Sequence, residues 1–215
     1  MSTVPDCKPE ELSTSTPSRT AKMFNDLLTA MIQHPERQRE LEQEILSVFS
    51  MPKAVLVLDM SGFSRTTHEH GIVTFLLMIH QTRRLCVPCV QKYHGILVKA
   101  EADNLFCLFD KTAEAIAAAR EINQRLGAAN CVLPDDRRLY ASIGIGYGQT
   151  LYVGEEDLFG DEVNLASKLG EDIGESGEIL LTAAAAATVP EEQARAKKSE
   201  LSISGLSLEF WRLVG

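Results

Sequence analysis

The run Lys53-Ala-Val-Leu-Val-Leu-Asp59 constrains the fold of this chain more than any other stretch. It is apolar, β-branched and too short for a helix, so it reads as a central strand buried on both faces and ending in a carboxylate. Met60-Ser-Gly-Phe-Ser64 follows as a loop with Gly62 at its middle. A helix of about twenty residues then runs to Tyr93 and closes at His94-Gly95. Ile96 to Ala100 and Asn104 to Phe109 read as a hairpin that turns at Glu101-Ala102. Thr112 is expected to cap a further helix along Ala115, Ala118, Ala119, Ile122 and Leu126, which stops at Gly127. Leu139 to Gly148 and Thr150 to Val153 are strand-like, with Gly144, Gly146 and Gly148 at period two. These glycines do not lead from a strand into a helix, so they are no dinucleotide-binding fingerprint. Gly177 to Thr182 reads as a strand, residues 183–188 as an alanine-rich helix, and Leu206 to Leu213 as a last strand. This order of elements is β-α-β-β-α-β with additional strands, an α+β sandwich on the split βαβ plan.

The chain has 215 residues, enough for one good-sized domain with an extension. Residues 1–18, rich in Ser, Thr and Pro, are expected to be disordered. Residues 19–50 form a helical extension, with Met23, Leu27, Leu28 and Met31 on one stripe and Leu41, Ile45, Val48 and Phe49 on the next. That extension packs on the domain or pairs with its copy, and is a candidate dimerisation or regulatory segment and a docking surface for a regulatory partner. Residues 51–215 form the main domain.

A net charge of −9 argues against nucleic acid as a partner, since no basic face is available to displace counterions. No apolar run is long enough for a membrane span, and the N-terminus is not a secretory signal. Of the five cysteines only Cys86 and Cys89 have metal or redox spacing, and no second pair completes a zinc set. Buried thiols beside the Pro88 kink are the simpler reading, and the reduced cysteines point to a cytoplasmic setting.

From Asp157 to Lys168 a loop breaks at Gly160 and opens a helix whose first turn holds Asp161 and Glu162, acids that suit a helix N-terminus. Val163, Ala166 and Leu165 or Leu169 supply its apolar face. Asn164 and Lys168, four apart, project from one side. By propensity alone they are an ordinary solvated pair.

Four pieces of this order resemble one family. They are Asp59 within Leu-Asp-Met-Ser-Gly-Phe-Ser, Lys99-Ala-Glu-Ala-Asp103, Gly144-Ile-Gly-Tyr-Gly148, and Asp157 with Val163-Asn164-Leu-Ala-Ser. Together they resemble the class III nucleotidyl cyclase catalytic domain over roughly residues 53–213. The resemblance implies an α+β, ferredoxin-like-derived (split βαβ) cyclase domain with an N-terminal helical extension. It implies a reaction that turns a nucleoside triphosphate into a 3′,5′-cyclic monophosphate and pyrophosphate. Two divalent cations, Mg²⁺ or Mn²⁺, suit such chemistry, and Asp59, Met60 and Asp103 stand where the family holds them. Ser61, Gly62, Phe63 and Ser64 stand where main-chain N–H groups cradle phosphates. Lys99 and Asp157 match the purine-reading pair, and this combination points to ATP. Asn164 and Lys168 match the residues that orient the ribose and meet the α-phosphate. A homodimer with two composite sites follows, one protomer giving Asp59 and Asp103 and the other Lys99, Asp157, Asn164 and Lys168.

The chain departs from the family pattern at three places. Lys168 replaces an arginine, which keeps the charge without the bidentate fork. Leu206 stands where a lysine often follows the glycine, with Lys197, Lys198 and Arg212 as substitutes to consider. Ala102 replaces a glycine. The readings that compete with an adenylate cyclase are a cyclase for GTP or a pyrimidine nucleotide, and a degenerate nucleotide-binding module that regulates a partner.

Overall fold

The structure, a computed structural model, describes residues 19–60, 71–154, 156–203 and 206–214. The 1–18 segment and the phosphate-cradle candidates Ser61, Gly62, Phe63 and Ser64 lie outside the described residues.

Strand β1 (Ser50–Met60) is central, as its apolar run predicts. It pairs antiparallel with β3 (Asn104–Phe109) on one side and β4 (Ala141–Val153) on the other, while β2 (Ile96–Glu101) forms the hairpin with β3. Helices α3 (Ile72–Lys92) and α4 (Thr112–Asn130) connect these strands. The order β2-β3-β1-β4 is that of a split βαβ sheet, and it continues through β6 (Ile179–Thr182), β8 (Leu206–Arg212) and β7 (Lys197–Ile203). A short strand β5 (Asp157–Phe159) pairs with the far end of β4 and leads into helix α5 (Asp161–Ser167).

The two faces of β1 are filled by alternate residues. Ala54, Leu56, Leu58 and Met60 pack with α3 and α4, through residues such as Met78, Cys86, Ala115, Ile116 and Ile122. Val55 and Val57 meet Val163 and Ala166 of α5 on the other face. Both faces being covered explains why β1 lacks the polar alternation of a half-exposed strand. Cys86 and Cys89 are buried free thiols on α3, near Pro88, as the sequence suggests.

The extension forms α1 (Ala21–Gln33), a 3₁₀ turn at Pro35–Arg37 and α2 (Gln38–Phe49). Thr20 caps α1 by accepting from the Met23 N–H. The stripe packs on the domain: Ile45 and Phe49 are buried with Val153, and the Phe24 ring stacks on Phe159 at 6.0 Å.

Four local expectations need correction. Thr112 is not the cap of α4: Lys111 holds that position without a side-chain bond, and the Thr112 hydroxyl is buried and accepts from Thr188. The helix does not stop at Gly127 but runs to Asn130, whose amide exchanges two hydrogen bonds with the Leu139 backbone. An added side chain at Gly127 would meet nothing within 4 Å, so the glycine is there as a tolerated interior residue and not as a stop. The two strand-like stretches around Gly148 are one continuous strand, β4. Beyond the alanine-rich helix α6 (Ala183–Ala187) lie a helix α7 (Pro190–Arg195) and strand β7 that the sequence pattern did not disclose. Strand β7 opens Lys-Lys-Ser-Glu, and a charged sheet edge hides the apolar alternation that marks a strand.

Candidate active site

The register places the carboxylates at one end of the sheet. Asp59 lies opposite Asn104 on β3 and Ser142 on β4, and Asp103 directly precedes Asn104. The half-buried Asp59 carboxyl is pushed up to about 7, first by burial and then by the charges of Asp103, Glu171 and Asp172. Glu171 is raised as well, by burial and then by Asp172, Asp103 and Glu101. These acids repel one another, a donor set that a divalent cation would relieve. The Oδ1 of Asn104, opposite Asp59, is buried without a hydrogen-bond partner, which adds an oxygen suited to a cation. Among the described residues no three carboxylate, imidazole or thiolate groups enclose a cation by themselves. The Met60 side chain is buried, so only its main-chain carbonyl is available as a ligand.

Sequence reading missed Glu171 and Asp172. They lie in a π-helical turn (Lys168–Ile173) that widens the end of α5 and folds it back on the sheet. Gly170 makes this possible, because a Cβ there would stand 3.0 Å from the Val57 carbonyl. The Ser142 hydroxyl donates to the Gly170 carbonyl and fixes the turn.

The base-reading candidates are also brought together. Lys99 Nζ on β2 lies 2.9 Å from Asp157 Oδ1 on β5, and 3.4 Å from Glu101. The same Oδ1 accepts from the Leu158 N–H, which fixes the carboxylate. The Lys99 ammonium sits 4.8 Å from the centre of the Phe106 ring. Burial opposes its charge, but the bond and charge of Asp157, with Glu101 adding, hold its pKa above the ordinary lysine value.

Asn164 and Lys168 lie on the exposed side of α5, while Val163, Ala166 and Leu169 face inward. Neither side chain has a hydrogen bond or ion pair among the described residues. Of the candidate substitutes for the missing lysine, Lys198 is paired with Glu209 and Arg212 with Glu178.

Glu162 is the further residue that the sequence left as a helix-terminal acid. Its Oε2 accepts from the Tyr147 N–H at 3.1 Å and the Thr182 hydroxyl at 2.6 Å. Its side chain fills the space over Gly146 and Gly148, where an added Cβ would come within 3.0 Å of it. The glycine period therefore seats α5 on β4 and turns Asn164 and Lys168 outward.

The Asp59 shift has a pH consequence. A carboxyl whose folded pKa is raised stabilises the fold below its unfolded pKa, and that contribution is lost as pH rises through about 7. Solvent screening of a half-exposed group leaves about 1–2 kcal/mol of this effect. In metal-free buffer the melting midpoint is expected to fall by about 4 °C between pH 5 and pH 8 from this group. Asp59→Asn should flatten that part of the slope; an unchanged slope in differential scanning calorimetry would count against it.

The comparisons with known proteins agree with this geometry. No family model matches the chain. The curated "Putative adenylate cyclase 3" of Rhizobium meliloti (strain 1021) is 29% identical over 129 residues, 60% of this chain. This chain spans only 22% of the length of that relative. Among solved structures, an adenylate/guanylate cyclase/hydrolase from Silicibacter pomeroyi is 27% identical with a TM-score of 0.66, covering 77% of this chain and 98% of its own. The guanylyl cyclase Cya2 has the same TM-score at 17% identity, with 77% and 93% covered, a likeness of fold. No described helix is long and apolar enough to cross a membrane. In sequence and fold the chain is similar to adenylate and guanylate cyclase catalytic domains.

Proposed function

We propose that this chain cyclises ATP to 3′,5′-cyclic AMP and pyrophosphate in a two-fold dimer of identical chains. The observation that carries the reading is the Lys99–Asp157 pair at 2.9 Å. A cationic donor beside a fixed carboxylate complements adenine, which offers an acceptor at N1 next to an exocyclic amine. Guanine in the same pose presents a donor and a carbonyl at those positions and would mismatch both side chains, so it would have to shift to reuse them.

Asp59 and Asp103, with the Met60 carbonyl, would hold two divalent cations, Mg²⁺ or Mn²⁺, which activate the 3′-hydroxyl and offset the triphosphate charge. Asp59 must then be ionised, and a bound cation favours that state. The main chain of Ser61, Gly62, Phe63 and Ser64 would take the β- and γ-phosphates. Asn164 would orient the ribose, and Lys168 would meet charge developing at the α-phosphate. The exposed, unpaired state of these two side chains supports their use across a dimer interface, facing the carboxylates of the other chain.

The test is turnover on an equimolar mixture of the four nucleoside triphosphates with Mg²⁺ or Mn²⁺, with products separated by chromatography and mass. Cyclic AMP is expected to dominate, and Asp157→Ala should raise KM for ATP by roughly 10-fold or more through loss of a charged hydrogen bond. Cyclic GMP or a cyclic pyrimidine nucleotide as the main product would overturn the ATP reading. Nucleotide binding with no turnover would favour a regulatory module.

A further inference from the structure

The turn that carries Asp103 is built on a residue poorly suited to it. Ala102 has φ of 46°, in the left-handed region where a Cβ crowds the backbone and glycine is the easy choice. Arg83, on α3, reaches this turn and donates from Nη2 to the Ala102 carbonyl at 2.7 Å. Its Nε is buried without a hydrogen-bond partner, so this one donor has been drawn from water at a cost while the rest of the side chain stays partly exposed. A surface arginine with no structural duty would keep that donor solvated.

We infer that Arg83 is a positioning residue, whose bond to the Ala102 carbonyl holds the β2–β3 turn in the left-handed form that sets Asp103 beside Asp59. The consequence for metal binding rests on the role proposed above for Asp103. The alternative is that Arg83 acts only as a charge near the carboxylates, and the two roles predict opposite signs. Removing a nearby cation lets a divalent metal bind more tightly. Removing a clamp lets Asp103 wander and weakens binding.

The experiment titrates Mn²⁺ into the full chain, read by electron paramagnetic resonance without nucleotide. The variants are Arg83→Met, Ala102→Gly, their double, and Asp103→Asn as control. Methionine keeps an apolar stem in place of the arginine's, so the fold is retained. Arg83→Met is expected to weaken Mn²⁺ binding about 10-fold, the usual scale for a group that orients a ligand. Ala102→Gly should stay within about twofold of the parent, since glycine takes this φ freely. The double variant should recover most of the loss for the same reason. Unchanged or tighter binding in Arg83→Met overturns the inference, as does a double variant that loses as much as the single one.

Hydrogen exchange at residues 101–105 separates this inference from the metal reading. If the parent binds no Mn²⁺, or Asp103→Asn binds it equally well, the metal role of Asp103 fails. The clamp then stands if Arg83→Met speeds exchange in that turn and leaves β4 unchanged, and falls if exchange in the turn is unaltered.

Discussion

Gly144→Ala is expected to unseat α5 and the π-helical turn behind it. The added Cβ would lie 2.0 Å from the Ala166 carbonyl and 2.8 Å from the Gly170 nitrogen, both backbone atoms of the packed layer. Backbone cannot step aside as the tip of a long side chain can, so α5 must lift or β4 must bend. Overpacking of this kind costs about 3 kcal/mol, or about 6–12 °C in melting midpoint for a chain this size. Gly127→Ala is the matched control. Its Cβ would meet nothing within 4 Å inside helix α4, so alanine should stabilise by about 0.5–1 kcal/mol. Chemical denaturation of both variants reads the contrast directly. Equal stabilities would mean that α5 does not sit on β4 as described. Because α5 carries Asn164 and the turn behind it opens with Lys168, Gly144→Ala should also cost activity at temperatures where it remains folded.

Asp59→Asn is expected to separate stability from function. At pH 8 the variant loses a half-buried charge crowded by Asp103, Glu171 and Asp172, so it should melt no lower than the parent without metal. Turnover should nevertheless fall by about 10³-fold or more, because several kcal/mol of transition-state stabilisation pass through the cations this carboxylate would hold. The proposed composite-site arrangement predicts a complementation result. Asp59→Ala and Asn164→Ala chains, each inactive alone, should recover about a quarter of parent activity when mixed. With free exchange half the dimers are mixed, and each mixed dimer has one intact site. Absence of recovery after confirmed subunit exchange would exclude the shared site. Retained turnover in Asp59→Asn would exclude the carboxylate as a metal ligand.

Much of this site can be read from the residue order. A run such as Lys53–Asp59 has one stable use, as a strand covered on both faces, and its last residue must then emerge at the sheet end. Asp103 could be placed at the same end once Asn104–Phe109 was read as the hairpin strand returning from β2. Lys99 and Asp157 were legible as a donor and an acceptor, but 58 positions separate them in sequence and nothing local says that they meet. Their contact depends on β5 pairing with the end of β4 and coming to lie beside β2.

Residues whose surroundings come from distant segments were not legible. Glu162 has the composition and place of a helix-terminal acid in solvent, yet packing on Gly146 and Gly148 turns it toward Tyr147 and Thr182. Glu171 and Asp172 read as ordinary surface acids until the π-helical turn folds them toward Asp59. Strand β7 opens on the charged run Lys197 to Glu200 and keeps only Leu201 and Ile203 at period two, so its pairing with β8 is what marks it as a strand. By itself the sequence determined the central strands, the two long helices that connect them and the chemical types of the site, since these follow from local periodicity and side-chain identity. Only the tertiary structure decided which carboxylates crowd one another, which glycines seat α5 and which arginine holds the turn before Asp103, because each depends on distances between segments far apart in the chain.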